Sequence, residues 1–262
     1  MPVTQRDVRA LKLQTALSWA AFPIVGTAVV VYLRVIRGYR IRHLSEIRHA
    51  FRAAVVPNRP IAICANHLTM IDSLIMHHAL ASLFAMFTDF RLFSWNVPAI
   101  ENFKRSWFLH IFTYLGKTIP IDRAGTPAHH RSVLERLAYL VSRGEICTIF
   151  PEGGRSRTGR IDPERVTYGI GQILKDFDNP LVVCLYVRGK HQTTYSYLPR
   201  RGDEIYVDLE LLEPKTEATG LRKARDIARQ VIFKLKEMED RYFAIEIDSA
   251  FSVDSMSPSL GR

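Results

Sequence analysis

The chain has 262 residues, 47% of them hydrophobic and 24% charged, with a formal net charge of +10. That length suits one packed α/β domain with attachments, and the balance excludes a disordered or low-complexity chain. Cys64, Cys147 and Cys184 lie far apart inside apolar runs, which excludes a disulfide framework and fits buried thiols of a reduced compartment.

The charge is unevenly placed: residues 1–60 carry ten Lys/Arg against two Asp/Glu. Within them, Thr15 to Leu33 is a run of 19 uncharged residues, preceded by Arg6, Arg9 and Lys12 and followed by Arg34, Arg37, Arg40 and Arg42. Such a run is barely long enough to span a bilayer as one helix. Pro23 and Gly26 at its centre predict a break into two shorter helices. Cations on both flanks favour a hairpin that enters and leaves one leaflet over a spanning helix. Trp19, Tyr32 and Tyr39 suit the headgroup level, and no small-residue cleavage site follows, so a secretory signal fits poorly. Residues 1–60 are therefore expected to be a membrane-associated helical anchor and basic linker, held by residues 15–33. A buried core helix is the competing assignment. Nucleic-acid binding fits poorly, because the charge surrounds an apolar segment and no aromatic–basic stacking pattern appears.

Ile61 to Ala65 has strand length and ends at Asn66-His67. Asp72 to Phe87 is expected as one helix with Leu74, Ile75, Ala79, Leu83 and Phe87 on a face. Arg91 to Trp95 and Thr118 to Ile121 are strand candidates, and Asn102 to Leu115 a helix. A helix over His130 to Ser142 turns Val133, Leu134, Leu137, Ala138 and Val141 inward and stops before Gly144. Ile146 to Phe150, Leu181 to Val187 and Glu204 to Leu212 are further strands, the second apolar throughout and so central. Leu221 to Met238 is an amphipathic helix. The alternation predicts an α/β fold with a mixed, largely parallel central sheet flanked by helices. The domain division expected is 1–60 anchor, 61–245 catalytic domain and 246–262 flexible tail.

Two blocks begin where an apolar strand ends, the place where ligands collect in open α/β sheets. Asn66-His67-Leu68-Thr69-Met70-Ile71-Asp72 offers an imidazole able to take a hydroxyl proton and a carboxylate to fix its tautomer. This works if His67 sits in a loop and Asp72 opens the next helix. His130 and Glu135 repeat the spacing on what reads as a surface helix, so spacing alone says little. Phe150-Pro151-Glu152-Gly153-Gly154-Arg155-Ser156-Arg157-Thr158-Gly159 offers glycines that turn backbone N–H groups toward an anion and two guanidinium forks for phosphate oxygens. Its bland alternative is a solvated basic loop. A base beside an anion clamp suits transfer onto the hydroxyl of a phosphorylated acceptor.

In this order the blocks resemble the NHxxxxD and FPEGTRS blocks of the glycerolipid acyltransferases of the 1-acylglycerol-3-phosphate acyltransferase family. Gly116-Lys117-Thr118-Ile119-Pro120-Ile121-Asp122-Arg123 resembles that family's middle block, and the run after Pro180 its fourth. The resemblance covers roughly residues 60–215. It implies His67, Asp72 and Glu152 as catalytic residues, with Glu152 shaping the site. It implies Arg155 on the acceptor phosphate, Arg157 as helper, Arg123 as a third contact, and Asn66, Gly153, Gly154 and Ser156 around the substrate. It also implies an acyl-CoA or acyl carrier protein thioester as co-substrate with no resident cofactor or metal. It implies membrane lipids and a lysophospholipid as partners, and together with the apolar segment it leads to the expectation of a place on the cytoplasmic face of a membrane, a bacterial inner membrane. Gly154 stands where threonine is common, and Cys184 lies near the place of a common proline. No lysine stands at Trp95 or Asn96, where many members carry one. That last departure leaves lyso-aminolipids and other lysophospholipids open beside 1-acylglycerol-3-phosphate. A non-catalytic lipid-binding scaffold is the remaining alternative, and the oligomeric state stays open.

Overall fold

A computed structural model describes residues 3–103 and 106–255. Its core is a five-stranded sheet of order β1-β5-β4-β2-β3, made of β1 (Arg40–Ile41), β2 (Ile61–Ala65), β3 (Cys147–Ile149), β4 (Leu181–Gly189) and β5 (Glu204–Leu212). β1 pairs with β5, β4 with β2 and β2 with β3 in parallel, and β4 with β5 in antiparallel fashion. The sheet is thus mixed and largely parallel. Every residue of β2, β3 and β4 is buried, as continuous apolar runs require.

Alternate side chains serve opposite faces. Ala62, Cys64, Val182, Cys184 and Tyr186 pack with α6 (Pro127–Ser142), α7 (Gly169–Leu174) and α8 (Gly220–Ser255). Ile61, Ile63, Ala65, Val183 and Leu185 pack with α1 (Gln5–Val31), α2 (Leu44–Ala54) and α3 (Asp72–Leu80). Burial pushes the thiols of Cys147 and Cys184 up to about 12, which makes them inert core residues.

Several expectations need correcting. The N-terminal run is one helix, not two. Thr4 caps α1 in a box with Asp7, and the chain continues past Val31 as a π turn over Tyr32–Ile36. Pro23 costs a helix interior about 3 kcal/mol. Burying Leu11, Phe22 and Leu33 against the domain contributes about 1.5–3 kcal/mol each, so packing holds the helix through the proline. Gly26 serves close approach: a Cβ there would lie 3.0 Å from Leu83 Cδ2. The basic linker expected before residue 60 contains α2, whose Ile47, Phe51 and Ala54 are core residues.

The helix expected over 72–87 breaks at Ala81, which is extended. Ser82 then caps α4 (Leu83–Thr88) by accepting from Ala85 N–H at 3.1 Å. The strand candidates 91–95 and 118–121 shrink to isolated bridges, Trp95 to Cys147, Asn96 to Thr118 and Ala99 to Ile121. The helix expected from Asn102 begins at Trp107, where Ser106 caps α5 (Trp107–Leu115). α8 continues through Ser255, so the expected tail is helical over residues 246–255, and residues 256–262 lie outside the described residues.

Candidate active site

β2 and β3 are parallel neighbours with Cys64 opposite Ile149, so the loops that leave their carboxyl ends land side by side. His67 follows β2 by two residues, and Asp72 is the first residue of α3. His67 Nδ1–H donates to Asp72 Oδ2 at 2.9 Å. The same oxygen accepts from Leu68 N–H at 2.7 Å and Thr69 N–H at 2.8 Å, while Thr69 Oγ1–H donates to Asp72 Oδ1. Every partner donates, an arrangement for a carboxylate at a helix N-terminus. The His67 ring stacks on Phe150, centroids 4.1 Å apart, so both edge and face are fixed.

The second block closes on the first. His67 N–H donates to Glu152 Oε1 at 2.9 Å, and Ser156 N–H donates to His67 C=O at 2.9 Å. Burial pushes the Glu152 carboxyl up to about 8, and the His67 N–H bond opposes only part of this. Glu152 therefore shapes the loop as a mostly neutral acid at pH 7. Gly153 has φ 66°, and a Cβ there would lie 2.5 Å from Thr167 Cγ2, so glycine is required on both counts.

A cavity of about 390 Å³ is lined by His67, Arg123, Gly153, Gly154, Phe150 and Ile121 among others. Arg123 lies beside Gly154, where a Cβ would be 3.9 Å from its Nη2. A second cavity, of about 350 Å³ and almost wholly apolar, lies between α1 and α5. The two share Met70, Ser73, Asn96, Pro98 and Asn102, so they are contiguous. His77 and His78 border the second cavity, and burial pushes both down to about 4, leaving them neutral at pH 7.

Other expected site residues are placed differently. Asn66 is buried with its amide occupied: Nδ2–H donates to Val187 C=O at 2.9 Å, and Val187 N–H donates to Oδ1 at 2.7 Å. It prolongs the β2–β4 ladder and does not reach for substrate. Ser156 Oγ–H donates to Arg160 C=O at 2.6 Å and accepts Arg160 N–H at 3.1 Å, so it organises its own loop. Arg157 is exposed and lines neither cavity. Arg155 also lies outside both, its guanidinium carbon 4.9 Å from the Tyr195 ring centre and 5.8 Å from that of Tyr197. Its Nη1 is buried and has no hydrogen-bond partner. His130, read from sequence as a surface residue, borders the His67 cavity.

Tyr195 and Tyr197 were invisible to motif reasoning. Their loop is tied back to the His67 loop, since Ser196 N–H donates to Leu68 C=O at 3.2 Å and Met70 N–H to Tyr197 C=O at 3.1 Å. The signal available was a pair of alternate tyrosines shortly after a central strand. Among the described residues, no group of three or more His, Cys, Asp or Glu could hold a metal ion.

The Glu152 carboxyl gives a stability prediction. Its folded pKa of about 8 lies above the ordinary 4.5, so it binds a proton more readily in the fold than in the unfolded chain. Its contribution is full below the unfolded value and is lost as pH rises through the folded one. The thermal midpoint of the wild type should therefore fall relative to Glu152→Gln between those two pH values and run parallel above them. Parallel curves throughout would show that Glu152 is ionised in the fold.

No curated protein matches the chain. Its fold is similar to the crystal structure of the 1-acyl-sn-glycerophosphate (LPA) acyltransferase PlsC from Thermotoga maritima. That likeness covers 90% of this chain and 98% of that one, with 14% identity and a TM-score of 0.45. The profile of the family described as Acyltransferase matches residues 46–187, more than half of the chain, from α2 through both blocks into β4. The chain belongs to the Acyltransferase family.

Proposed function

We propose that this acyltransferase moves a fatty acyl group from acyl-CoA or acyl carrier protein to the free hydroxyl of a lysophospholipid, forming phosphatidic acid from 1-acylglycerol-3-phosphate. The observation that carries the reading is the continuity of the cavity that holds His67 and Arg123 with a more apolar cavity behind it. One end suits a headgroup and a reacting carbonyl; the other suits an alkyl chain.

With Nδ1–H committed to Asp72, Nε2 is the nitrogen left to accept the acceptor's hydroxyl proton. The freed alkoxide oxygen bonds to the thioester carbonyl carbon. Collapse breaks the C–S bond, and the imidazolium returns its proton to the departing thiolate. Asp72 stabilises the imidazolium in between. Arg123, which lines the His67 cavity, pairs with acceptor phosphate; Arg155, just outside the cavity with a buried guanidinium nitrogen left without a partner, closes on the same phosphate when the acceptor binds.

The helical segment Gln5–Ile36 attaches the protein to the cytoplasmic face of a bacterial inner membrane. Helix and π turn together run from Gln5 to Ile36, 32 residues long and apolar enough to cross a membrane. Leu11, Gln14, Ser18, Phe22 and Gly26 are nevertheless buried against the domain. A helix bound along its length to a folded domain suits the interface plane better than a span.

The reading is tested by acylation of a lysolipid panel (lysophosphatidic acid, other lysophospholipids, lyso-aminolipids) with membranes holding wild type or His67→Ala. Thioester-dependent product in the wild type alone is the expected result, and a product only on lyso-aminolipids would move the acceptor. The apolar cavity adds a second expectation. Val25→Phe, which lengthens a half-buried side chain lining that cavity, should slow long-chain thioesters at least tenfold more than short ones. Equal slowing across chain lengths would place the acyl chain elsewhere.

A further inference from the structure

α5 reads Trp-Phe-Leu-His-Ile-Phe-Thr-Tyr-Leu, without an acidic or basic side chain other than His110, and none of its residues is buried. Trp107 is 77% exposed, Phe108 62% and Ile111 50%. So much bare apolar surface on one short helix marks an interaction site. The helix is firmly placed: Gln14 Nε2 on α1 donates to Tyr114 C=O and Thr118 C=O, both at 2.9 Å. Leu109, Phe112 and Leu115 face Phe22, Val25 and Val29 of α1 across the apolar cavity. On α1 and the π turn that follows it, Leu13, Leu17, Ile24, Val31 and Val35 form a second exposed stripe at helical spacing.

We propose that α5 is a second membrane-docking element, inserting Trp107, Phe108 and Ile111 into the headgroup–acyl boundary of an anionic bilayer beside α1. The apolar cavity between the two helices then opens into lipid. The occupant follows from composition and charge. Tryptophan and tyrosine belong where an apolar body meets a wet edge, as at a membrane interface. The adjoining α1 surface is apolar from Leu13 onward, with Arg6, Arg9 and Lys12 exposed on its first turns and Arg34 and Arg40 exposed after its end, cations that complement anionic headgroups. A second copy of this chain, docked about a two-fold axis, would set like cations against one another. The inference rests on the reading that both substrates carry acyl chains drawn from the bilayer.

The chain has three tryptophans, and Trp95 is fully buried. In full-length Trp19→Phe protein, Trp107 is therefore the emitter that lipid can reach. With vesicles of phosphatidylglycerol and phosphatidylethanolamine brominated on the acyl chains, its emission should shift to the blue and lose at least half its intensity. Adding Trp107→Phe should abolish the quenching while the protein still sediments with vesicles through α1. Quenching needs no turnover, so it tests the docking face whether or not the proposed reaction is right. In Trp107→Asp/Phe108→Asp, turnover of vesicle-embedded acceptor should fall at least tenfold, with a soluble short-chain acceptor within twofold. Trp107 unquenched in vesicle-bound protein would overturn the proposal. So would a lipid-free dimer in which Trp107 is already shielded, and that outcome would assign the face to a second copy.

Discussion

Replacing His67 by alanine is expected to cut turnover by about a hundredfold to ten-thousandfold, the usual contribution of a general base. The fold should survive, because the ring's contacts are the Asp72 bond and the Phe150 stack, while the backbone bonds to Glu152 and Ser156 remain. Asp72→Asn should be nearly as inactive and less stable. An amide nitrogen in the place of Oδ2 would face Leu68 N–H and Thr69 N–H, which now find their acceptor there. Turning one of these buried contacts donor-to-donor costs about 1–3 kcal/mol. Single-turnover rates and thermal melts on both variants separate the two effects. Full turnover in His67→Ala would remove the imidazole from the mechanism. An unchanged melt in Asp72→Asn would mean that the loop reorganises around the amide.

Arg155→Ala is expected to raise the acceptor's KM by roughly 2–5 kcal/mol in equivalent terms, the cost of leaving a buried phosphate charge without its partner. The thioester's KM should change far less. Arg155→Lys should restore little, since an ammonium does not fork to two oxygens as the guanidinium beside Tyr195 and Tyr197 can. The measurement is a pair of saturation curves, one in each substrate, for wild type and both variants. A rise confined to the thioester would reassign the loop to the donor.

What the sequence made legible is what a strand end makes local. His67 and Asp72 are five residues apart, and the loop-then-helix geometry they need follows from a strand stopping at Ala65 and a helix starting at Asp72. The meeting of the two blocks followed from adjacency of two apolar strands, an α/β regularity. What escaped depends on neighbours distant in the chain. Pro23 looked like a break because its cost is visible in sequence, whereas the packing of Phe22 and Leu33 that offsets it is not. Asn66 and Ser156 looked like ligand contacts because they stand inside the two motif blocks; only the fold shows their polar atoms already occupied. The break at Ala81 was readable in principle, since Ser82 stands where a cap would. The helical periodicity running across it masked that signal.

The clasp between Asn66 and Val187 separates two adjacent positions by what an experimenter could select for. Both ends of the Asn66 amide continue the ladder between β2 and β4, so aspartate there would set an oxygen against the Val187 carbonyl. A library scored only for soluble expression should therefore be intolerant at 66 and indifferent at 67. One scored for lipid product should be intolerant at both. Comparing the two maps would divide the Asn-His pair into a residue that holds the sheet's register and a residue that reacts, although a motif alignment records them as one unit.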